Sequence, residues 1–368
     1  MEDHMEQRAQ LQALLKNDLP DYSGTRIVIW GAGNTTLLAQ QGLRRFALRH
    51  PWFSVYAYCD GASEKWGTQF CGRPVISPME LQAEVQNTKT NVIVSAQRPN
   101  AIHEIRSRLA EMGIRSRLLD EVVLKTEADS VLRCYDLLDD EESKNVYYAV
   151  IRARVLGLER PEGCQMNELQ YFSHSKLSGS RPPEVFVDCG AYIGDTLEVF
   201  LDFEQGCIGK YIAFEADLIN YRALLEQVRV QKSKWNLTDE QVITFNCAVG
   251  EEEGIVRYKH HQGTNGAGSV IARLSDAEEE SCPIVSLDGF LKEPYSFLKA
   301  DIESYEYSML RGAEHGIRQY HPFCAICIYH NAVDLYSILL LLHEYVPEYH
   351  FSVKHHSVLL EDTVLYCW

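Results

Sequence analysis

Short apolar runs, each closed by Gly, Asp, Asn or Glu, recur along this chain and alternate with stretches whose apolar positions repeat every three to four residues. The first pattern predicts strands buried on both faces, the second amphipathic helices. Strands are expected at Arg26–Trp30, Ser54–Cys59, Val75–Ile76 and Asn91–Ser95, and helices over 35–48, 78–86 and 100–112, the last closed by Gly113. With a leading helix over 1–20 that ends at Pro20, they make a small parallel-sheet domain over 1–125. Residues 126–183 carry no strand pattern. Asp139–Val155, with Tyr147, Val150, Ile151 and Arg154 at helical spacing, predicts a helix within a helical connector, and the polar run Ser173–Pro183 marks its end.

From 184 to 368 the alternation resumes, with strands expected at 185–189, 211–215, 242–247, 297–301, 323–329, 348–354 and 362–367 and helices at 195–203, 218–232, 306–318 and 333–344. Only Leu-Leu-Glu-Asp separates the last two strands, so one of them runs antiparallel. The expected fold class is α/β. A smaller Rossmann-like domain and a helical connector precede a mostly parallel seven-stranded sheet with an antiparallel terminal hairpin.

The 368 residues suit two domains, and the apolar and charged fractions, 46% and 24%, are those of a globular protein with no membrane-length apolar run. A formal charge of −17 argues against nucleic acid or an anionic membrane as the main partner. The N-terminal sequence lacks the pattern of a secretory signal, and the eleven scattered cysteines fit reduced thiols, so a cytoplasmic location is expected. Cys324 and Cys327 lie three apart in a strand and point to opposite faces, which suits packing rather than metal chelation.

In an open α/β sheet, ligands bind beyond the carboxyl ends of the strands. The first such turn of the second half is Asp188-Cys-Gly190-Ala191-Tyr192-Ile-Gly194-Asp195-Thr196, where glycines permit close backbone approach and a helix start offers free amides. The next strand ends at Glu215, placed to take two ribose hydroxyls. Asn246, or a backbone amide near Ala248, is placed to meet an adenine edge. His330 follows an apolar strand, and its side-chain type suits proton removal near neutral pH. Asp301, ending a neighbouring strand, would orient His330 or hold an acceptor. Two other readings stay open: His330 with Asn331 caps the next helix, or Asp301, Glu303 and His330 hold a metal. His260-His261 and Asp276–Glu280 read as solvated loop, and His355-His356 as either substrate contact or surface.

Phe186-Val-Asp-Cys-Gly-Ala-Tyr-Ile-Gly-Asp-Thr196, Phe214-Glu-Ala-Asp217, Ser286-Leu-Asp288, Leu298-Lys-Ala-Asp-Ile-Glu303 with Glu306, and Ile326-Cys-Ile-Tyr-His330 together resemble the FkbM-type methyltransferases that use S-adenosyl-L-methionine (SAM). The resemblance covers roughly residues 185–368. It implies the class I methyltransferase fold, SAM as cofactor and O-methylation of a sugar or natural-product hydroxyl. By it, Asp188, Gly190, Gly194 and Thr196 line the methionine side of SAM, Glu215 the ribose, Ser269 lies near the cofactor and Asp301 faces the transferred methyl. The family usually has glycine where this chain has Ser304. A non-catalytic binding or assembly module that keeps the fold is the alternative.

In the first half, Gly31-Ala-Gly33 follows a strand, but Thr36 stands where a dinucleotide fingerprint has its third glycine, and Asp60 ends the next strand late. Tyr58-Cys-Asp60, Lys65-Trp-Gly67 and Gly72–Pro78 resemble the small Rossmann-like domains that precede some sugar acyltransferases. Binding of a sugar or nucleotide is one expectation for this half, and contacts in a homo-oligomer are the other. The expected partner is a small-molecule or glycan acceptor.

Overall fold

The computed structural model describes residues 2–164, 169–177, 182–258 and 280–368. Contacts divide the chain into two units: Met1–Cys164 with Tyr329–Tyr336 and Val358–Glu361, and Gln165–Ile328 with Ser337–Ser357 and Asp362–Trp368.

The first unit holds strands β1 (Arg26–Trp30), β2 (Val55–Cys59), β3 (Gln69–Phe70), β4 (Arg73–Ile76), β5 (Thr90–Val94) and β6 (Ser116–Leu118). They form one sheet in the order β3-β4-β2-β1-β5-β6, parallel except for the β3–β4 pair. Val28, Ala57, Val92 and Val94 face a core that Leu81, Ile102 and Leu109 close from the helices. Local chemistry sets the helix starts: at Pro78–Asn87, Ser77 and Glu80 form a reciprocal capping box with Pro78 in the first turn. The helix Glu141–Leu156 starts on Asp140, whose carboxylate accepts from the Ser143 amide, and ends at Gly157, φ 69°.

Two departures from the sequence pattern have visible causes. The expected connector is divided at Cys164, and its helices Ala128–Leu137 and Glu141–Leu156 cluster with the first sheet. Residues 329–336 and 358–361, expected in the second half, also cluster there. The Tyr147 hydroxyl donates to Leu335 O at 3.0 Å, Cys134 Sγ reaches Tyr336 O at 3.4 Å, and Arg154 Nη2 donates to Leu360 O at 3.0 Å. No hydrophobic periodicity records such long-range bonds.

The second unit contains β7 (Val185–Cys189), β8 (Lys210–Phe214), β9 (Val242–Phe245), β10 (Ala248–Val249), β11 (Gly254–Tyr258), β12 (Glu280–Val285), β13 (Phe297–Ala300), β14 (Phe323–Cys327), β15 (Phe351–His355) and β16 (Thr363–Cys367). Seven of these form a sheet in the order β15-β16-β14-β13-β7-β8-β9. It is parallel but for β16, which runs antiparallel to both neighbours, as the short connection before it requires. The order reverses between β7 and β13, so the ligand crevice is expected beyond Cys189 and Ala300. A three-stranded sheet, β10-β12-β11, has no counterpart in the periodicity because its strands are short and largely exposed. The single helix expected over 306–318 is two, Glu306–Arg311 and Glu314–Tyr320. Cys324 and Cys327 are free and fully buried in β14. Among the described residues, no helix is long and apolar enough to cross a membrane.

Candidate active site

The turn after β7 is built by backbone close approach. Gly190 has φ 85°, and a Cβ there would lie 2.0 Å from Asp301 O and 2.8 Å from Ile302 Cγ2. No other residue fits between the ends of β7 and β13. The Gly190 and Ala191 amides donate to Phe214 O, and Gly194, φ 89°, caps the helix Asp195–Phe203. Ala191 is fully buried, Tyr192 lies half-buried at φ 48°, Asp195 is exposed and accepts from the Thr196 amide, and the Thr196 side chain is buried.

Asp188, expected beside the ligand, is wholly buried and serves the turn indirectly. Its carboxylate meets Lys299 Nζ at 2.8 Å and accepts from the Tyr211 hydroxyl. Lys299, 2% exposed, also donates to Gly190 O at 2.7 Å and so ties the turn to β13. Burial pushes the Asp188 carboxyl up, while Lys299 and Tyr211 pull it down. Burial also opposes the Lys299 charge, but Asp188 and Asp301 outweigh it and hold the ammonium above its ordinary range. Lys299 was legible as part of the Leu298–Glu303 motif but without its role, and Tyr211 carried no signal in the sequence.

Glu215, directly after β8, is 8% exposed. Its Oε2 accepts from the Tyr192 amide at 2.9 Å and its Oε1 from the Asp217 amide at 2.8 Å. Burial raises its pKa to about 7 against those two bonds. Each oxygen keeps lone-pair capacity for a hydroxyl donor. Asp217 itself is buried and caps the helix Leu218–Trp235 through the Ile219 and Asn220 amides. Asn246 Nδ2 donates to the Glu215 and Ala216 carbonyls, which leaves its Oδ1 for other contacts. Ala248 is buried in β10. Ser269, His260, His261 and residues 276–279 lie outside the described residues.

At the end of β13, Asp301 Oδ2 accepts from the Tyr171 hydroxyl at 2.9 Å. The strand stops at Ala300, so the alternation that would place Asp301 and Glu303 on one face does not extend to them. Glu303 and Ser304 instead take φ 54° and 76°. Ser304 thus holds a left-handed conformation at the position where the FkbM pattern has glycine. Glu306, fully buried, accepts from the Ile302 amide at 2.7 Å and closes this turn.

His330 is 4% exposed and belongs to the first unit, on the segment that continues the chain beyond β14. The helix cap is Asn331, whose Oδ1 accepts from the Val333 and Asp334 amides at 3.1 Å. His355 and His356 are not surface residues. Both are buried, with Nδ1 of His355 2.8 Å from Thr363 Oγ1 and Nε2 of His356 2.9 Å from the Tyr366 hydroxyl.

Residues 188–351 match the family model described as the methyltransferase FkbM domain. A crystal structure of a methyltransferase FkbM from Methylobacillus flagellatus is similar over 100% of this chain and 98% of that one, with a TM-score of 0.54 and 19% identity, a likeness of fold. An rRNA methylase from Streptococcus thermophilus (14% identity, 50% of this chain and 84% of that one, TM-score 0.29) and a UDP-D-quinovosamine 4-dehydrogenase from Vibrio fischeri (23%, 28% and 85%, 0.21) are also similar, at scores on which nothing rests. No curated protein matches the chain significantly. The family match falls on the seven-stranded sheet whose order and crevice are described above, and the chain carries an FkbM methyltransferase domain over residues 188–351.

Proposed function

We propose that the chain binds SAM through its second unit and methylates a hydroxyl of a sugar, glycan precursor or natural product. The observation that carries the cofactor reading is Glu215: a nearly buried carboxylate at the end of β8, held by the Tyr192 amide of the neighbouring turn and retaining acceptor capacity on both oxygens. That donor and acceptor set suits a ribose diol, and the Gly190–Gly194 backbone, with no side chain at either glycine, suits the close approach of an amino-acid moiety. SAM, when bound, supplies a methyl group already activated by its sulfonium.

The chain's own residues then have to orient an acceptor and take its proton. Asp301, at the end of β13 and steadied by Tyr171, is the residue proposed to hold the acceptor beside the crevice. His330 is proposed as general base, on its side-chain type and its place in the segment after β14.

Calorimetric titration with S-adenosylhomocysteine tests the cofactor reading. Heat from the wild type and at least tenfold weaker binding by Glu215→Ala are expected; no heat from the wild type, or equal affinity in the variant, would remove it. For the base, His330→Ala is expected to lower kcat over pH 6–9 with cofactor affinity unchanged. Unchanged turnover across that range would exclude His330.

A further inference from the structure

Residues 169–177 precede the family match and run along β13 and β14 from their carboxyl ends toward their starts. Tyr171 stands by Asp301 and Cys327, His174 by Phe323 and Trp368. The anchors of this strap do not depend on the Tyr171 hydroxyl. The Phe172 ring packs against Phe186, Phe200 and Phe297, with centroids 5.9, 5.5 and 6.0 Å away. The Tyr366 hydroxyl donates to Gln170 O, and Lys354 Nζ donates to Ser173 O at 3.3 Å.

Tyr171 is buried, on a backbone that is not relaxed: Gln170 before it takes φ 21°. Conformations of this kind cluster at functional sites. The Tyr171 hydroxyl donates to Asp301 Oδ2 at 2.9 Å, and Cys327 Sγ lies 3.7 Å from the same oxygen. Burial holds the Cys327 thiol well above its ordinary range and so protonated. The thiol is then a donor to the tyrosine oxygen, and the one phenolic proton is left for Asp301. Local backbone does not do this work, because β13 ends at Ala300 and Glu303 and Ser304 follow in left-handed conformations. A hydroxyl bond to a carboxylate is directional and fixes how the acid is presented.

The surroundings give that presentation a consequence. The buried Lys299 ammonium is already paired with Asp188 at 2.8 Å. Asp195, Glu215 and Asp301 follow the ends of β7, β8 and β13, so this end of the sheet is rich in acidic groups and suits a cationic ligand.

From this geometry we infer that Tyr171 is a positioning residue for the methyl transfer proposed above: its hydroxyl holds the Asp301 carboxylate toward the crevice beyond β7 and β13, where it favours the cationic sulfonium of SAM over the neutral thioether of S-adenosylhomocysteine. The inference rests on the SAM reading and adds to it a side chain from a segment ahead of the methyltransferase domain.

The test is titration calorimetry with SAM and with S-adenosylhomocysteine on the full chain, as wild type, Tyr171→Phe, Asp301→Asn and the double variant, with urea unfolding to check each fold. Wild type is expected to bind SAM about tenfold more tightly than S-adenosylhomocysteine, and Asp301→Asn to lose that preference. Tyr171→Phe should lose about threefold to fivefold of it with S-adenosylhomocysteine affinity unchanged. The double variant should match Asp301→Asn, because the tyrosine acts only through the carboxylate. A wild type without preference, a wild-type ratio in Tyr171→Phe, or a further loss in the double variant would overturn the inference and leave the cofactor reading standing. So would an unfolded Tyr171→Phe, or a fall of both affinities by the same factor, each of which marks a structural role. Failure of wild type to bind either ligand would overturn both.

Discussion

Glu215→Gln tests whether the acid at the end of β8 is kept at the expense of folding. Burial carries its pKa from 4.5 to about 7, and 2.5 units at about 1.36 kcal/mol each is about 3 kcal/mol. The folded carboxyl keeps its proton to higher pH than the unfolded one. Its contribution is therefore most favourable below the unfolded value, where both states are protonated, and is lost as pH rises through about 7. By pH 8.5 the native protein holds an ionised, nearly buried Glu215. Glutamine removes that charge, but its NH₂ faces one of the Tyr192 and Asp217 amides, which costs about 1–2 kcal/mol. The variant should therefore be about 1–2 kcal/mol more stable than wild type at pH 8.5. That advantage should shrink by about 2 kcal/mol at pH 5.5, where the buried carboxyl is mostly protonated. Urea unfolding followed by circular dichroism at the two pH values reads both numbers. A difference that is the same at both would refute the reasoning.

Lys299→Met leaves Asp188 buried without its cation and should cost about 3–5 kcal/mol in urea unfolding; a loss under about 1 kcal/mol would mean that the pair does not hold β7 to β13. Gly190→Ala drives a Cβ to 2.0 Å from Asp301 O at φ 85° and should lower stability by more than about 2 kcal/mol and weaken S-adenosylhomocysteine binding, measured by unfolding and calorimetry. Ser304→Gly, at φ 76°, should raise stability by about 0.5–1 kcal/mol, read as a higher Tm; a fall would show that the serine side chain outweighs the strain.

The amino-acid sequence by itself determined the two parallel sheets, the antiparallel final strand and the turns that matter. Apolar runs, short connections and glycine positions are local signals, and β7, β8, β13 and β14 follow from them within a residue or two at most boundaries. Gly190, Gly194 and Glu215 were legible because a strand end fixes where a residue stands before any packing is known. Tertiary structure alone decided which side chains are used up inside the fold. Asp188 is consumed by Lys299 and Tyr211, Asn246 donates to two carbonyls, and His355 and His356 are buried against Thr363 and Tyr366. It also decided that residues 329–336 and 358–361 join the first unit, because hydrogen bonds from Cys134, Tyr147 and Arg154 reach across some 175 to 206 positions. Periodicity reports which face of an element is apolar; the partner that a buried polar group finds depends on distances that only the folded chain sets.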